Sequence, residues 1–188
     1  MPAVVNRLLA TNNFSEVHRE QELIWNGYFA DITKYARTPE KAKIRDCFLS
    51  LPRQLAQENK KFRFSEVEKG GSAKKYSNSL EWLRDAGMIR FCRNVSLPAF
   101  PLKAYERENQ FKIYEADIGL LVAMYGFQMK DALFHDSLKG PAKGGIYENL
   151  VPDILSKKGH PLNYSNGRTA PRKSSSCWKK TPKWSPWK

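Results

Sequence analysis

Apolar positions along this chain recur mostly every three or four residues, with short stretches that read as strands between them. "PAVVNRLLAT" opens with Pro2 at a first helical position and sets Val5, Leu8 and Leu9 on one side. "FSEVHREQELIWNGYFADITKYA" repeats Val17, Gln21, Ile24, Tyr28, Ile32 and Tyr35, predicting one long amphipathic helix with Ser15 as its cap. Thr38, Pro39 and Glu40 open the next unit, whose buried stripe is Ile44, Cys47, Phe48, Leu51 and Leu55. A proline inside a helix removes a hydrogen bond at a cost of roughly 3 kcal/mol. Pro52 therefore predicts two helices, 39–49 and 52–58, meeting at a corner.

"KFRFSEV" reads as a short strand. "GGSAKKYSNSLEWLRDAG" reads as a helix with Ser72 as cap, Tyr76, Leu80 and Leu83 inward, and Gly87 ending it. "MIRFCRNV" and "QFKIYEA" are two strands joined by the proline-containing loop 97–109, and Asp117 caps a helix over "IGLLVAMYG". A short helix near "MKDALF" and a last amphipathic one over "GGIYENLVPDILSKKG" follow, the latter with Ile146, Leu150 and Ile154 as its stripe and Gly159 as its stop. The expected class is mainly α with a small β component. The order helix, helix, strand, helix, strand, strand over 38–126 is that of a winged helix-turn-helix.

Charge changes this picture less than its total suggests. The chain carries a net +13, but from Lys157 onward there are nine basic and no acidic residues. Residues 1–156 hold 23 basic against 19 acidic side chains, an ordinary mildly basic balance. No apolar run approaches the roughly 20 residues of a membrane span. Cys47, Cys92 and Cys177 have no metal-ligand spacing and suggest a reducing, cytoplasmic setting. There is no phosphate-cradling G-x-x-x-x-G-K-[ST] loop. His18, His135 and His160 sit in unrelated segments and read as ordinary polar positions. The expectation is no catalytic residue and no metal or cofactor held by this chain.

The candidate chemistry in the folded part is double-stranded DNA contact by the helix "AKKYSNSLEWLRD". A recognition helix reads base edges with exposed polar side chains near its start. Here these are Lys74, Lys75, Ser77 and Asn78, with Arg84 further along and Arg90 and Arg93 on the wing. Glu81 and Asp85 dilute that charge, and the same surface also suits contact with a partner protein.

Several stretches in one order, "MPAVVNRLLATNNFSEVHREQ", "KIRDCFLSLPRQLAQENKKFRFSEVEKGG", "YSNSLEWLRDAGMI", "FPLKAYERENQFKIYEADIGLL" and "YENLVPDIL", resemble the C-terminal half of prokaryotic AAA-family ATPases, the part known as domain of unknown function 4143. The resemblance covers residues 1–162. It implies an ATPase domain upstream, with ATP and magnesium bound only by an intact member. It further implies a lid-like helical segment over 1–37, the winged helix over 38–126, and the first helix of a restriction-endonuclease-like domain within 127–162. In such a nuclease fold Glu148 matches the first metal-binding carboxylate, and an E-x-K hairpin should follow "GHPLNY". The chain has "RKSSSCWKKTPKWSPWK" at its end instead. Without the hairpin the last helix is expected to be an orphan with its apolar stripe exposed and Pro152 weakening it, and 163–188 a disordered basic tail. Three functional readings follow: a non-catalytic winged-helix region of such an ATPase with DNA binding, a protein-interaction module meeting the ATPase domain or another partner, and an inactive nuclease remnant.

The genetic code offers an origin for the tail. Read one frame away, Cys177–Trp178 forces Leu, while Trp178–Lys179 and Trp187–Lys188 each force Glu. A permitted reading from Asn163 onward is strand, turn and strand ending on glutamate, and the next codons permit Val and Lys. Our hypothesis is a frameshift that replaced an E-V-K hairpin. In the coding DNA, a single-base change near the codons for residues 162–165 is expected to restore an acidic, strand-like frame ending in Glu-Val-Lys; a frame lacking it sinks the idea.

Overall fold

The computed structural model describes residues 1–165. Seven helices and a three-stranded sheet are found among them, in the order α1 (Pro2–Thr11), α2 (Phe14–Tyr35), α3 (Thr38–Leu55), α4 (Ala73–Asp85), β1 (Ile89–Val95), β2 (Glu106–Glu115), α5 (Ile118–Met124), α6 (Phe127–Phe134), α7 (Pro141–Lys157) and β3 (Asn163–Tyr164). The fold is mainly helical α+β, as the patterning predicts. Among the described residues no helix is long and apolar enough to cross a membrane.

β1 sits in the middle of the sheet, antiparallel to β2 and parallel to β3. The register places Phe91 opposite Ile113 and Ile89 opposite Glu115, while Arg90 faces Tyr114 and Cys92 faces Lys112. Facing residues share one side of a sheet, and alternate positions point to opposite sides. Ile89 and Ile113 therefore close the main core, with Ile32 of α2, Ile44, Cys47, Phe48 and Leu51 of α3, and Tyr76, Leu80 and Leu83 of α4. On the other side Cys92 and Tyr114 join Leu55, Leu121 and Tyr164 in a second cluster.

Several local expectations change. α3 runs unbroken through Pro52. Burying Phe48, Leu51 and Leu55 stabilises by about 1.5–3 kcal/mol each, and the three together exceed the roughly 3 kcal/mol an interior proline costs. The Pro52 carbonyl also accepts from the Tyr125 hydroxyl at 2.7 Å. "KFRFSEV" is not a strand: only Lys61 bridges to Lys112 of β2, and Phe64–Glu66 forms a 3-10 turn. Here the Gln54 side chain takes the backbone N–H of Arg63 at 2.8 Å, which ties the segment to α3 rather than to a ladder. Asn13, not Ser15, caps α2, its Oδ1 accepting from the Ser15 N–H at 2.9 Å. β2 begins at Glu106, so the loop after β1 is shorter than expected. The stripe on α1 is not a buried seam, since Val5 and Leu9 are exposed, and on α2 Tyr35 is exposed while Val17, Gln21 and Ile32 are buried.

α7 is docked rather than orphaned. Its inner face is Gly145, Ile146, Asn149, Pro152 and Asp153, so Ile146 and Pro152 are buried and only Ile154 of the expected stripe is exposed. Asn149 Oδ1 accepts from the backbone N–H of Glu115 at 2.8 Å, and its Nδ2 donates to the Glu115 carbonyl at 3.1 Å. α7 crosses the end of α3 so closely that a Cβ on Gly145 would lie 2.1 Å from the Leu55 carbonyl oxygen. Of the segment expected to be disordered, Asn163 and Tyr164 form β3, with Tyr164 buried. Residues 166–188, including Cys177 and the tryptophan-rich end, lie outside the described residues.

One buried acid has a stability consequence. Both Glu115 carboxyl oxygens are buried without a hydrogen-bond partner. Burial, then the charge of Asp117, raises this carboxyl well above the usual range, with Arg90 opposing. The fold thus retains a proton that the unfolded chain releases above about pH 4.3. The stability linked to that proton is present below this value and is lost as pH rises toward the folded-state pKa. Glu115→Gln has no such proton. Urea midpoints at about pH 5 and about pH 8 should show the variant gaining on the parent chain as pH rises. A constant difference between them would contradict this account.

Candidate nucleic-acid interface

α4 starts at Ser72, whose side chain makes no capping bond, and ends at Ala86 and the left-handed Gly87 (φ +72°). The Met88 N–H then reaches back to the Leu83 carbonyl at 2.9 Å. With Tyr76, Ser79, Leu80 and Leu83 buried, Lys74, Lys75, Ser77, Asn78 and Arg84 lie on the exposed side. This exposed placement is as expected from the helical period. The state of the charges is different.

Lys75 is paired with Glu68, which also accepts from the Tyr76 hydroxyl at 2.6 Å. Both Lys75 and Tyr76 hold the Glu68 carboxyl below its ordinary value. Arg84 is paired with Glu81 and, at 2.8 Å, with Asp85. Arg93 lies between Glu106 at 3.7 Å and Glu81 at 4.0 Å and stacks over the Phe91 ring. Arg90 is turned into the fold, donating to Asp153 Oδ1 at 2.8 Å and to the Ala116 carbonyl. Arg90 and Arg93 belong to β1 rather than to the connecting loop, which carries an exposed Phe100 instead. Among the described residues, Lys74, Ser77 and Asn78 are the three candidates with no ion pair or side-chain hydrogen bond.

Glu148 sits apart from this surface, over the second face of the sheet. Its Oε1 accepts from Lys112 Nζ at 2.6 Å and from the Tyr114 hydroxyl at 2.7 Å. Burial, then the charge of Glu148, raises the Tyr114 phenol far above its usual range. Asp153, four residues past Asn149, is committed to Arg90 and to Lys157 at 2.9 Å. Among the described residues no three His, Cys, Asp or Glu side chains assemble into a metal-binding group. The metal site implied by the nuclease resemblance does not fit these residues, whose carboxylates serve as anchors between α7 and the sheet. Nearby, burial lowers the pKa of the Lys60 ammonium, which donates to the Leu55 and Gln57 carbonyls and to Pro141 O at 3.3 Å.

Sequence reading missed a groove beside α4. Tyr28, Asp31 and Tyr35 of α2 face Trp82, Asp85 and Met88 across a depression of about 410 Å³. A second depression of about 280 Å³ continues it past Tyr35 and Trp82 to Arg37, Glu40, Ile44 and Asn78. The signal was available in part: Trp82 flanks the Tyr76, Leu80 and Leu83 stripe rather than filling it, as a groove wall does, whereas Tyr35 falls within the spacing of the α2 stripe.

The class these features define is an α+β domain with a charge-neutralised helix surface and an adjoining aromatic groove. Residues 1–131 match the family described as Domain of unknown function (DUF8612), and the chain belongs to that family. No curated protein and no solved structure matches it.

Two substitutions separate fold from interface. Arg90→Ala leaves the buried Asp153 with Lys157 alone and is expected to cost about 2 kcal/mol, less than the rupture of a fully buried pair. Lys74→Ala, which removes no described ion pair or side-chain hydrogen bond, is expected to stay within about 0.5 kcal/mol of the parent chain in urea unfolding. Equal effects would contradict these assignments.

Proposed function

We propose that this chain is a non-catalytic winged-helix module from an AAA-family ATPase lineage, and that its α4 surface meets another protein rather than duplex DNA. The winged-helix part of the reading is supported by element order: α3, the Lys61 bridge to β2, α4, then the β1–β2 hairpin whose connecting loop is the wing. The lineage is supported by the ordered motifs over residues 1–162, with α1 and α2 in the lid position. One observation carries the choice of partner: Lys75, Arg84, Arg90 and Arg93 are each paired with a carboxylate of this chain. A phosphate backbone would have to compete with Glu68, Asp85, Asp153 and Glu106 for them, whereas DNA-binding surfaces offer uncompensated cations.

DNA contact is the second reading, favoured by Lys74, Ser77 and Asn78, which lie exposed in the first half of α4 where base-reading side chains sit. A fluorescent mixed-sequence duplex distinguishes the two. Under the protein-contact reading, any duplex binding collapses between about 50 and about 200 mM salt and is lost on removing residues 166–188. It is also unchanged by Lys74→Ala with Asn78→Ala. A loss of about tenfold or more from that double substitution at physiological salt would establish DNA as the partner.

A further inference from the structure

We propose that the groove between the C-terminal turns of α2 and α4 receives an arginine side chain presented by an extended segment of a partner protein. This rests on the protein-contact reading and gives the partner its chemistry. The 410 Å³ depression is lined by two acids, Asp31 and Asp85, and by no basic residue. Among the described residues Asp31 is in no ion pair, and Asp85 gives a single oxygen, Oδ1, to Arg84. Three aromatic side chains, Tyr28, Tyr35 and Trp82, complete the walls.

The backbone adds to the negative side. α2 ends at Tyr35 and α4 at Asp85, so both helices bring their carbonyl ends, where cations are favoured, to this groove. The Tyr28 phenol is raised first by burial, and Asp31, which shares the groove with it, adds to the rise. Tyr35 already receives a cation within the chain, with Lys34 Nζ 4.9 Å from its ring centre. A guanidinium is planar, weakly hydrated and able to bind a carboxylate through two parallel bonds while stacking on an aromatic ring, which an ammonium cannot do as well. Anionic ligands are disfavoured by the two carboxylates.

The second depression argues for a segment rather than a free small molecule. It continues the first across Tyr35 and Trp82 and is walled by Ile44 and Asn78, with Glu40 and Arg37 at its sides. An extended backbone can follow this path, with the amide of the exposed Asn78 available to its peptide groups. Asn78 thereby acquires a role that requires no DNA.

The test titrates the full chain with the peptide Gly-Gly-Arg-Gly-Gly, blocked at both ends, and with its lysine and citrulline counterparts. The Trp82 indole N–H is followed by NMR and assigned from Trp82→Phe. Saturable shifts are expected with arginine, about tenfold weaker binding with lysine, and none with citrulline, which has the same shape without the charge. Asp31→Asn should weaken the arginine peptide about tenfold, while the exposed Lys74→Ala leaves it unchanged. Equal binding of citrulline, no saturable arginine binding, or indifference to Asp31→Asn overturns the proposal. So would a response of the Trp82 signal to Arg168→Gln with Arg172→Gln in the absence of peptide, if peptide bound to that variant alone; the occupant would then be the chain's own tail. The duplex assay has a separate readout, so a failed arginine pocket and a failed protein-contact reading are distinguishable.

Discussion

The two hydrogen bonds between the Asn149 amide and the backbone of Glu115 hold the two sides of this domain together. Residue 115 ends β2, where its peptide groups would otherwise be buried without a partner, and the amide satisfies both a donor and an acceptor at once. With α7 fixed at that point, Gly145 can pass over the Leu55 carbonyl, Asp153 meets Arg90, and Glu148 meets Lys112 and Tyr114. β3 then emerges beside β1. The same residue that supplies this backbone anchor has a side chain on the opposite face, pressed unpartnered into the main core. One end of one strand thus carries both a backbone anchored in two hydrogen bonds and a carboxyl group with none.

Neither interior proline acts as a breaker, and the reason is shared. Each lies on a helix whose inner face is already committed to apolar or polar contacts worth more than the hydrogen bond it removes. Pro52 lies between the buried Leu51 and Gln54, and Pro152 is itself buried beside Asp153. Local chemistry argues for a corner in both places; tertiary packing overrides it.

Helical periodicity was legible wherever one face is apolar: Tyr76, Leu80 and Leu83 of α4 and Ile44 through Leu55 of α3 are buried as their spacing requires. Where burial is polar, periodicity misled. α7 seats Asn149 and Asp153 inward, and a hydrophobic count cannot see an amide that bonds to a strand end. "KFRFSEV" alternates like a strand, yet a side chain of α3 takes one of its backbone donors. At the candidate interface, the exposure of Lys74, Lys75, Ser77, Asn78 and Arg84 was legible from the helical period. The pairing of Lys75 with Glu68 and of Arg93 with Glu106 was not, because it joins residues that only the fold brings together. The groove was hidden for the same reason, its walls coming from helices about 50 residues apart in the chain.

The family match ends at residue 131, inside α6, whereas the second face of the sheet is closed by residues beyond it. Leu55, Cys92, Tyr114 and Leu121 come from the matched part, but Leu162 and Tyr164 come from outside it. Similarity and folding therefore draw different borders on this chain. A segment cut at the similarity border would present a bare, partly greasy sheet surface to water, and any relative that shares only that segment must bring its own cover for it.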